Sequence, residues 1–109
     1  MTPLTGSQRK YLRGQAHALA PVVRIGKQGI TESVRKSVNE ALDARELIKV
    51  KFIDFKEEKS DLSRRIAQET SAELVGLIGN IAILYRENPD RDMRKILLPA
   101  PSSRNESSD

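Results

Sequence analysis

The sequence contains no cysteine and a single histidine, His17. Disulfide bonds, thiolate nucleophiles and zinc sites that use cysteine are therefore excluded, as are metal sites built from several histidines. Most catalytic arrangements of small domains need one of these groups. We therefore expect a protein that is not an enzyme and that holds no metal or other cofactor.

Aromatic residues are also scarce, at 4% of the chain: Tyr11, Phe52, Phe55 and Tyr85. Proteins that bind unpaired bases commonly stack them on several exposed rings. If the partner is a nucleic acid, the scarcity of aromatic rings indicates that the protein contacts the sugar-phosphate backbone and does not stack on several bases.

Long apolar segments are missing as well. No run approaches the roughly 18 residues that a membrane span needs, and the first residues lack the apolar stretch of a secretory signal. We therefore expect a cytoplasmic protein that does not bind membranes. The 109 residues are of single-domain length, and 38% hydrophobic residues suffice for one core but not for two. A monomer is the simplest expectation at this size.

The charge of the chain is unevenly distributed. Lys and Arg number 19 against 15 Asp and Glu, which gives a net charge of +4. Seven basic residues and one acidic residue fall in 1–36, so this third carries +6 and residues 37–109 carry −2. Such asymmetry is typical of one binding face for an anionic partner, of which nucleic acid is the first candidate.

Hydrophobic periodicity and turn residues predict three helices and four strands in the order α-β-α-β-α-β-β. The expected elements are a helix from about residue 6 to Pro21, a strand at 22–25, a helix capped by Thr31 and ending near 44, a strand at 47–53, a helix from about 60 to 71, and a hairpin of 74–78 with 81–86. We therefore expect an α/β fold with a four-stranded mixed sheet in one domain, residues 1–98. Residues 95–98 are expected to be extended, and residues 99–109 to form a disordered tail.

The segment Gly26-Lys27-Gln28-Gly29 lies between a predicted strand and a capped helix. Its glycines let the backbone approach a ligand closely, and the N–H groups at the start of the next helix attract phosphate. A tight turn that needs glycine only for its geometry is an equally good explanation of the spacing. Gly76 and Gly79 have the same spacing, but they flank apolar residues of a predicted strand, where glycine marks a bulge or a strand end.

Basic residues near this loop complete the candidate surface for binding a nucleic-acid backbone. They are Arg9, Lys10 and Arg13 on the first helix, Arg24 on the strand before the loop, and Lys49 and Lys51 on the second strand. The two lysines alternate with apolar residues, so they are expected on an open face of the sheet. Lysines there also keep a strand soluble, and both roles stay open.

Four acidic residues precede or begin the third helix: Asp54, Glu57, Glu58 and Asp61. Clustered carboxylates can hold Mg²⁺ for phosphodiester cleavage. Because Lys56 and Lys59 interrupt this group, we expect a solvated loop and rank a small nuclease last among the hypotheses.

With these residues in view, the chain resembles the CRM (chloroplast RNA splicing and ribosome maturation) domain, in particular the stand-alone bacterial YhbY family. The resemblance covers roughly residues 4–98 and rests on the segments Leu4-Thr5-Gly6, Leu12-Arg13-Gly14, Ala16-His17-Ala18-Leu19, Pro21-Val22-Val23, Ile25 to Glu32, Ala41-Leu42, Glu46 to Lys51, and Ile78 to Arg86. Ala20 departs from the family, where this position is often basic.

The resemblance implies an α/β RNA-binding domain similar in fold to the C-terminal domain of translation initiation factor three. It also implies association with precursors of the large ribosomal subunit, with the glycine loop in contact with RNA. We therefore predict a non-catalytic protein that assists ribosome assembly by holding ribosomal RNA through phosphate contacts. The alternative is a protein-interaction module that docks on a ribosomal protein or an assembly factor through the face with Lys49 and Lys51.

Overall fold

A computed structural model of the protein describes residues 3–100. The elements are α1 (Gly6–Ala16), β1 (Val23–Ile25), α2 (Glu32–Arg45), β2 (Leu47–Phe52), α3 (Lys59–Glu69), β3 (Glu73–Ile78), β4 (Ile81–Tyr85) and a 3₁₀ turn, Arg91–Met93. The predicted order of three helices and four strands is confirmed.

Capping residues set the start of the first two helices. The Thr5 hydroxyl accepts a hydrogen bond from the Gln8 N–H at 3.1 Å, and the Gln8 side chain accepts one from the Thr5 N–H at 3.0 Å. Thr31 caps α2 in the same way through the Val34 N–H. These bonds satisfy donors that would otherwise lack partners in the first turn.

α1 is shorter than predicted, since it ends at Ala16 and not at Pro21. The Lys49 ammonium, 30 residues from Leu19 in sequence, donates to the Leu19 carbonyl at 2.9 Å and to the His17 carbonyl at 3.5 Å. These carbonyls are therefore satisfied from β2, and the chain leaves the helix before the proline.

The sheet has the strand order β1-β2-β4-β3. β1 and β2 are parallel, and the other neighbouring pairs are antiparallel. The β3–β4 hairpin follows the prediction: β3 has a bulge between Leu74 and Gly76, and Gly79 turns the chain with φ +58°. Gly76 and Gly79 thus serve a bulge and a turn, as expected for the second glycine pair.

Apolar side chains cover both faces of the sheet, so the expectation that the face with Lys49 and Lys51 is open was wrong for the part that α1 covers. α2 and α3 pack on one face over residues such as Ile25, Val50 and Phe52. α1 packs on the other face over a smaller cluster that includes Leu47 and Tyr85. The amphipathic pattern of α1 predicts its apolar side but not the sheet face that it covers.

The carboxylate of Glu46 fixes the chain after β4. Its oxygens accept hydrogen bonds from the backbone N–H groups of Asn88 at 2.7 Å, Lys95 at 2.6 Å and Ile96 at 3.0 Å. The predicted extended segment 95–98 therefore pairs with a side chain and forms no strand. Most of the predicted tail, residues 101–109, lies outside the described residues.

Candidate nucleic-acid interface

The segment Gly26 to Gly29 forms a tight turn directly after β1. The Gly29 N–H donates to the Gly26 carbonyl at 3.0 Å, and Gly29 has φ +73°, a conformation that favours glycine. Lys27 and Gln28 form the exposed tip, and neither side chain has a hydrogen-bond partner among residues 3–100. The positive φ explains why glycine is needed at position 29. The side chains at the tip, Lys27 and Gln28, remain accessible to a ligand.

The turn lies at one end of the sheet, which we call the loop end. The carboxyl ends of β1 and β2 and the β3–β4 turn meet there, because the Phe52 N–H donates to the Asn80 carbonyl at 2.7 Å and the Ile53 N–H to the Ile25 carbonyl at 2.9 Å. Three connections of the fold therefore lie close to the glycine turn.

Three cations at the loop end lack a partner within residues 3–100. Arg24 and Lys51 are register partners on the parallel strands β1 and β2, so their side chains lie side by side on one face. Both are exposed, and Lys27 follows three residues after Arg24. None of the three has an ion pair or side-chain hydrogen bond within the described part of the chain. We call Arg24, Lys27 and Lys51 the loop-end cations.

The basic residues of α1 are used differently. The Arg9 guanidinium donates to the Leu74 carbonyl at 2.7 Å and pairs with Glu73 at 3.3 Å, while Arg13 donates to the Val75 carbonyl at 3.4 Å. Both arginines thus attach α1 to β3. Lys10 is exposed, and no bond of its side chain is found in residues 3–100.

Lys49 has a structural contact that was not expected, since its ammonium holds the end of α1. Lys49 also borders a cavity of about 130 Å³ beneath α1, whose other lining residues are Arg13, His17, Ile78, Ile81 and Ile83. Three of the six lining side chains are basic or histidine, so this cavity extends the positively charged surface from Lys51 towards α1.

A larger cavity of about 420 Å³ lies towards the amino end of β2. Mostly apolar residues line it, and none of the predicted RNA-binding residues does. Its size alone therefore does not make it the candidate site.

Charged residues of α2 and α3 pair with one another. Arg35 contacts Glu32 at 3.2 Å and Glu69 at 3.3 Å, and these contacts, chiefly the hydrogen bond that Arg35 donates to Glu32, raise the pKa of Arg35. The hydrogen bond from Arg65 is the main cause of a lowered pKa of Glu69. Arg35 follows the glycine turn closely in sequence, but its charge is already compensated.

The acidic segment before α3 does not assemble a metal site. Asp54, Glu57 and Glu58 are exposed, and Asp61 pairs with Arg64 on the same helix. No group of three or more His, Cys, Asp or Glu side chains in residues 3–100 is arranged to hold a metal ion. No helix in this range is long and apolar enough to cross a membrane.

One neighbour of the glycine turn was missed by sequence reasoning, which treated residues 54–60 only as a charged loop. The ring of Phe55 lies against Gly29: a Cβ built on that glycine would be 3.6 Å from Phe55 Cε2. The available signal was an aromatic residue in an otherwise polar loop directly after a strand.

Comparison with known proteins shows which family and which proteins this chain is similar to. The CRS1 / YhbY (CRM) domain matches residues 4–86. The probable RNA-binding protein YqeI of Bacillus subtilis is 39% identical over 97 residues, 88% of this chain and 99% of that protein. An RNA-binding protein of Haemophilus influenzae is 42% identical over 100 residues, 91% of this chain and 98% of that protein.

A solved structure matches as well. The solution structure of the hypothetical protein SAV1595 from Staphylococcus aureus has a TM-score of 0.75 and 39% sequence identity, and the match covers 89% of this chain and 100% of that one.

Proposed function

The chain belongs to the CRS1 / YhbY (CRM) domain family, and on this premise we propose that it is a non-catalytic RNA-binding protein. In this proposal it associates with precursors of the large ribosomal subunit and assists their assembly. The glycine turn and the loop-end cations hold the phosphate backbone of ribosomal RNA. Two relatives support RNA as the partner: the proteins from Bacillus subtilis and Haemophilus influenzae are named as RNA-binding proteins, and each matches this chain over nearly its whole length.

The single observation that carries the site is the contrast in charge pairing. Lys27 lies at the exposed tip of the glycine turn, and Arg24 and Lys51 lie on the two strands that end at it; none of the three has a partner in the described residues, whereas Arg9, Arg35 and Arg86 form ion pairs. An unpaired cation does not have to break an intramolecular contact before it binds a phosphate. The new charge-assisted contact therefore contributes more to the binding free energy than the same contact from a paired cation.

The remaining predicted residues have secondary roles in this proposal. Lys10 is available as an outer phosphate contact. Arg9, Arg13 and Lys49 donate to carbonyl groups but keep further N–H donors. They add positive potential to the surface, and we assign the direct contacts first to Gly26-Lys27-Gln28-Gly29, Arg24 and Lys51.

The test is a double substitution at the tip of the turn, Lys27→Asp with Gln28→Asp. Binding to large-subunit ribosomal RNA should weaken by at least about tenfold, because two carboxylates would face the phosphates. Thermal unfolding should be unchanged, since both side chains are exposed. With about five phosphates engaged, the wild-type slope of log K against log salt should be roughly −3.5 to −4.5.

The matched control is Arg91→Asp with Met93→Asp. It lowers the net charge by the same amount on an exposed 3₁₀ turn away from the loop end. An equal loss of affinity in both variants would attribute binding to net charge alone, and unchanged binding in the first would move the site elsewhere. A salt slope near zero would contradict the phosphate contacts.

The ribosomal part of the proposal is tested by sedimentation before and after nuclease treatment. We expect the protein to sediment with large-subunit precursors and to be released when RNA is digested. A complex with ribosomal proteins that survives digestion would favour the protein-interaction module instead. Crosslinking with mapping of the RNA positions identifies the RNA element that is bound.

A further inference from the structure

Phe55 is an exposed ring placed against the proposed phosphate-binding turn. Its exposed fraction is 36%, and it belongs to neither of the two apolar layers of the fold. Cε2 and Cζ of the ring lie 3.6 and 3.8 Å from the point where a Cβ of Gly29 would stand. The ring therefore lies directly beside the turn and stays accessible.

The backbone holds Phe55 in this place. The Ile53 and Asp54 N–H groups both donate to the Ile25 carbonyl, the residue that precedes Gly26, at 2.9 and 3.2 Å. The Phe55 N–H donates to the Asp54 carboxylate at 3.0 Å, and the Phe55 carbonyl accepts from the Glu58 N–H at 3.0 Å. The segment after β2 is thus tied to the residue that directly precedes the glycine turn.

Phe55 also adopts φ +57°, which is unusual for a residue with a side chain. Such a conformation persists only when the surroundings impose it. Ile53, 48% exposed, adds a second apolar side chain nearby. The segment that follows β2 thus presents two exposed apolar side chains, Ile53 and Phe55, beyond Lys51.

From this arrangement we propose that Phe55 stacks on the base of an unpaired nucleotide whose phosphate is held at the Gly26–Gly29 turn. This inference rests on the proposed function and narrows its substrate to RNA with accessible bases, such as a loop or bulge within a structured RNA. A base in a continuous duplex is stacked on its neighbours and is not free to contact the ring. The cations would contact the phosphate and the ring would stack on the base. Because every base has a face on which a ring can stack, such a contact tolerates different RNA sequences.

The chain contains no tryptophan, so Phe55→Trp introduces a unique fluorescent reporter. Three RNA probes are compared: a single-stranded uridine decamer, a decamer of the same backbone without bases, and a blunt RNA duplex. The uridine decamer should quench the tryptophan fluorescence of the Phe55→Trp variant, whereas the abasic decamer and the duplex should leave it unchanged at equal occupancy. Met93→Trp, an exposed position on the 3₁₀ turn, is the control that no probe should quench.

Affinity separates stacking from simple packing against Gly29. Phe55→Leu keeps an apolar side chain but removes the aromatic face, so it should weaken binding of the uridine decamer about tenfold and leave binding of the abasic decamer unchanged. Circular dichroism of both Phe55 variants checks the fold. Equal uridine affinity in wild type and Phe55→Leu, or equal quenching by the abasic decamer, would overturn the proposal.

The two proposals fail in different ways. If the wild-type protein binds RNA and loses binding in the Lys27, Gln28 double variant but not in Phe55→Leu, only the stacking inference is wrong. If the wild type binds none of the three probes and no ribosomal RNA, both are wrong.

Discussion

The two ends of the sheet use their charged residues for opposite purposes. At the end opposite the glycine turn, which we call the anchor end, Glu46 accepts three backbone hydrogen bonds and Arg86 donates to Asn39, Asp43 and the Thr70 carbonyl. At the loop end, Arg24, Lys27 and Lys51 have no such partners in residues 3–100. Paired charges at the anchor end hold the chain together, and unpaired charges at the loop end are available to a ligand.

This difference explains why net charge is a weak guide to function. Arg86 and Arg24 contribute equally to the composition, but Arg86 is already bonded between α2, β4 and the end of α3. A basic residue indicates a binding surface only where folding leaves its charge without a partner. Substitutions at the anchor end should therefore lower stability, and substitutions of the loop-end cations should change RNA binding.

The largest effect is expected at the anchor end, for Glu46→Ala. The substitution removes the acceptor of the Asn88, Lys95 and Ile96 N–H groups, and the Glu46 side chain is fully buried. The free energy of unfolding should fall by at least about 3 kcal/mol, because partly buried donors lose a charged partner. Urea unfolding measures the loss.

The matched variant Glu46→Gln keeps one acceptor oxygen and should lose less stability. RNA affinity of both variants, measured at a temperature where they are folded, should equal that of wild type. A parallel loss of affinity would show that the anchor end and the loop end are coupled.

The next largest effect concerns Tyr85, which is also buried at the anchor end. Burial, followed by the Glu87 and Glu46 carboxylates and opposed by Arg94, raises the pKa of Tyr85 from 10.0 to about 12. The folded protein then keeps this proton at pH values where the unfolded chain has lost it. Stability should therefore decline between pH 10 and pH 12, by up to about 3 kcal/mol from this residue.

Tyr85→Phe isolates this contribution, since other groups titrate alike in both proteins. At neutral pH the variant should match wild type within about 0.5 kcal/mol, because the Tyr85 hydroxyl has no hydrogen-bond partner among the described residues. Urea unfolding across the alkaline range should give a smaller decline for Tyr85→Phe. Identical pH profiles would assign the alkaline loss to other groups.

The order of elements was predictable because it depends on local patterns. Apolar periodicity, the Thr5 and Thr31 caps and the Gly79 turn are all visible in short windows of sequence. The end of α1 was not predictable, because the carbonyls of His17 and Leu19, directly after the helix, accept hydrogen bonds from Lys49 on β2. Which face of the sheet α1 covers also depends on tertiary packing, so local sequence patterns do not predict it.

The candidate site was predictable to a similar degree. Sequence proximity groups Arg24 with the glycine turn, whereas the pairing of Arg24 with Lys51 depends on the register of β1 and β2. The roles of Arg9 and Arg13 were not visible, because their acceptors are carbonyl groups of β3 more than 60 residues away. A helical stripe of cations has the same spacing whether it faces solvent or a strand edge.

A smaller effect is expected at the loop end for Gly29→Ala. With φ +73° the alanine would be strained by about 1 kcal/mol, although its Cβ would meet only Phe55 at an ordinary contact distance of 3.6 Å. Gly26→Ala is the control, since its φ is not positive and no atom lies within 4 Å of an added Cβ. Thermal unfolding should separate the two, and equal stability would contradict the requirement for glycine at position 29.

The smallest effect distinguishes a free cation from an engaged one. Lys51→Met removes a loop-end cation that has no partner in the described part of the chain, so the salt slope of RNA binding should become shallower by about 0.7 to 0.9, the contribution of one phosphate. Arg9→Met removes the same charge but loses the bonds to Glu73 and the Leu74 carbonyl. It should lower stability by about 1 kcal/mol and leave the slope nearly unchanged. Because both variants have the same net charge, different slopes can arise only from where each cation lies. Equal slopes would mean that RNA senses the overall potential of the domain, and the division into two ends would then apply to stability but not to binding.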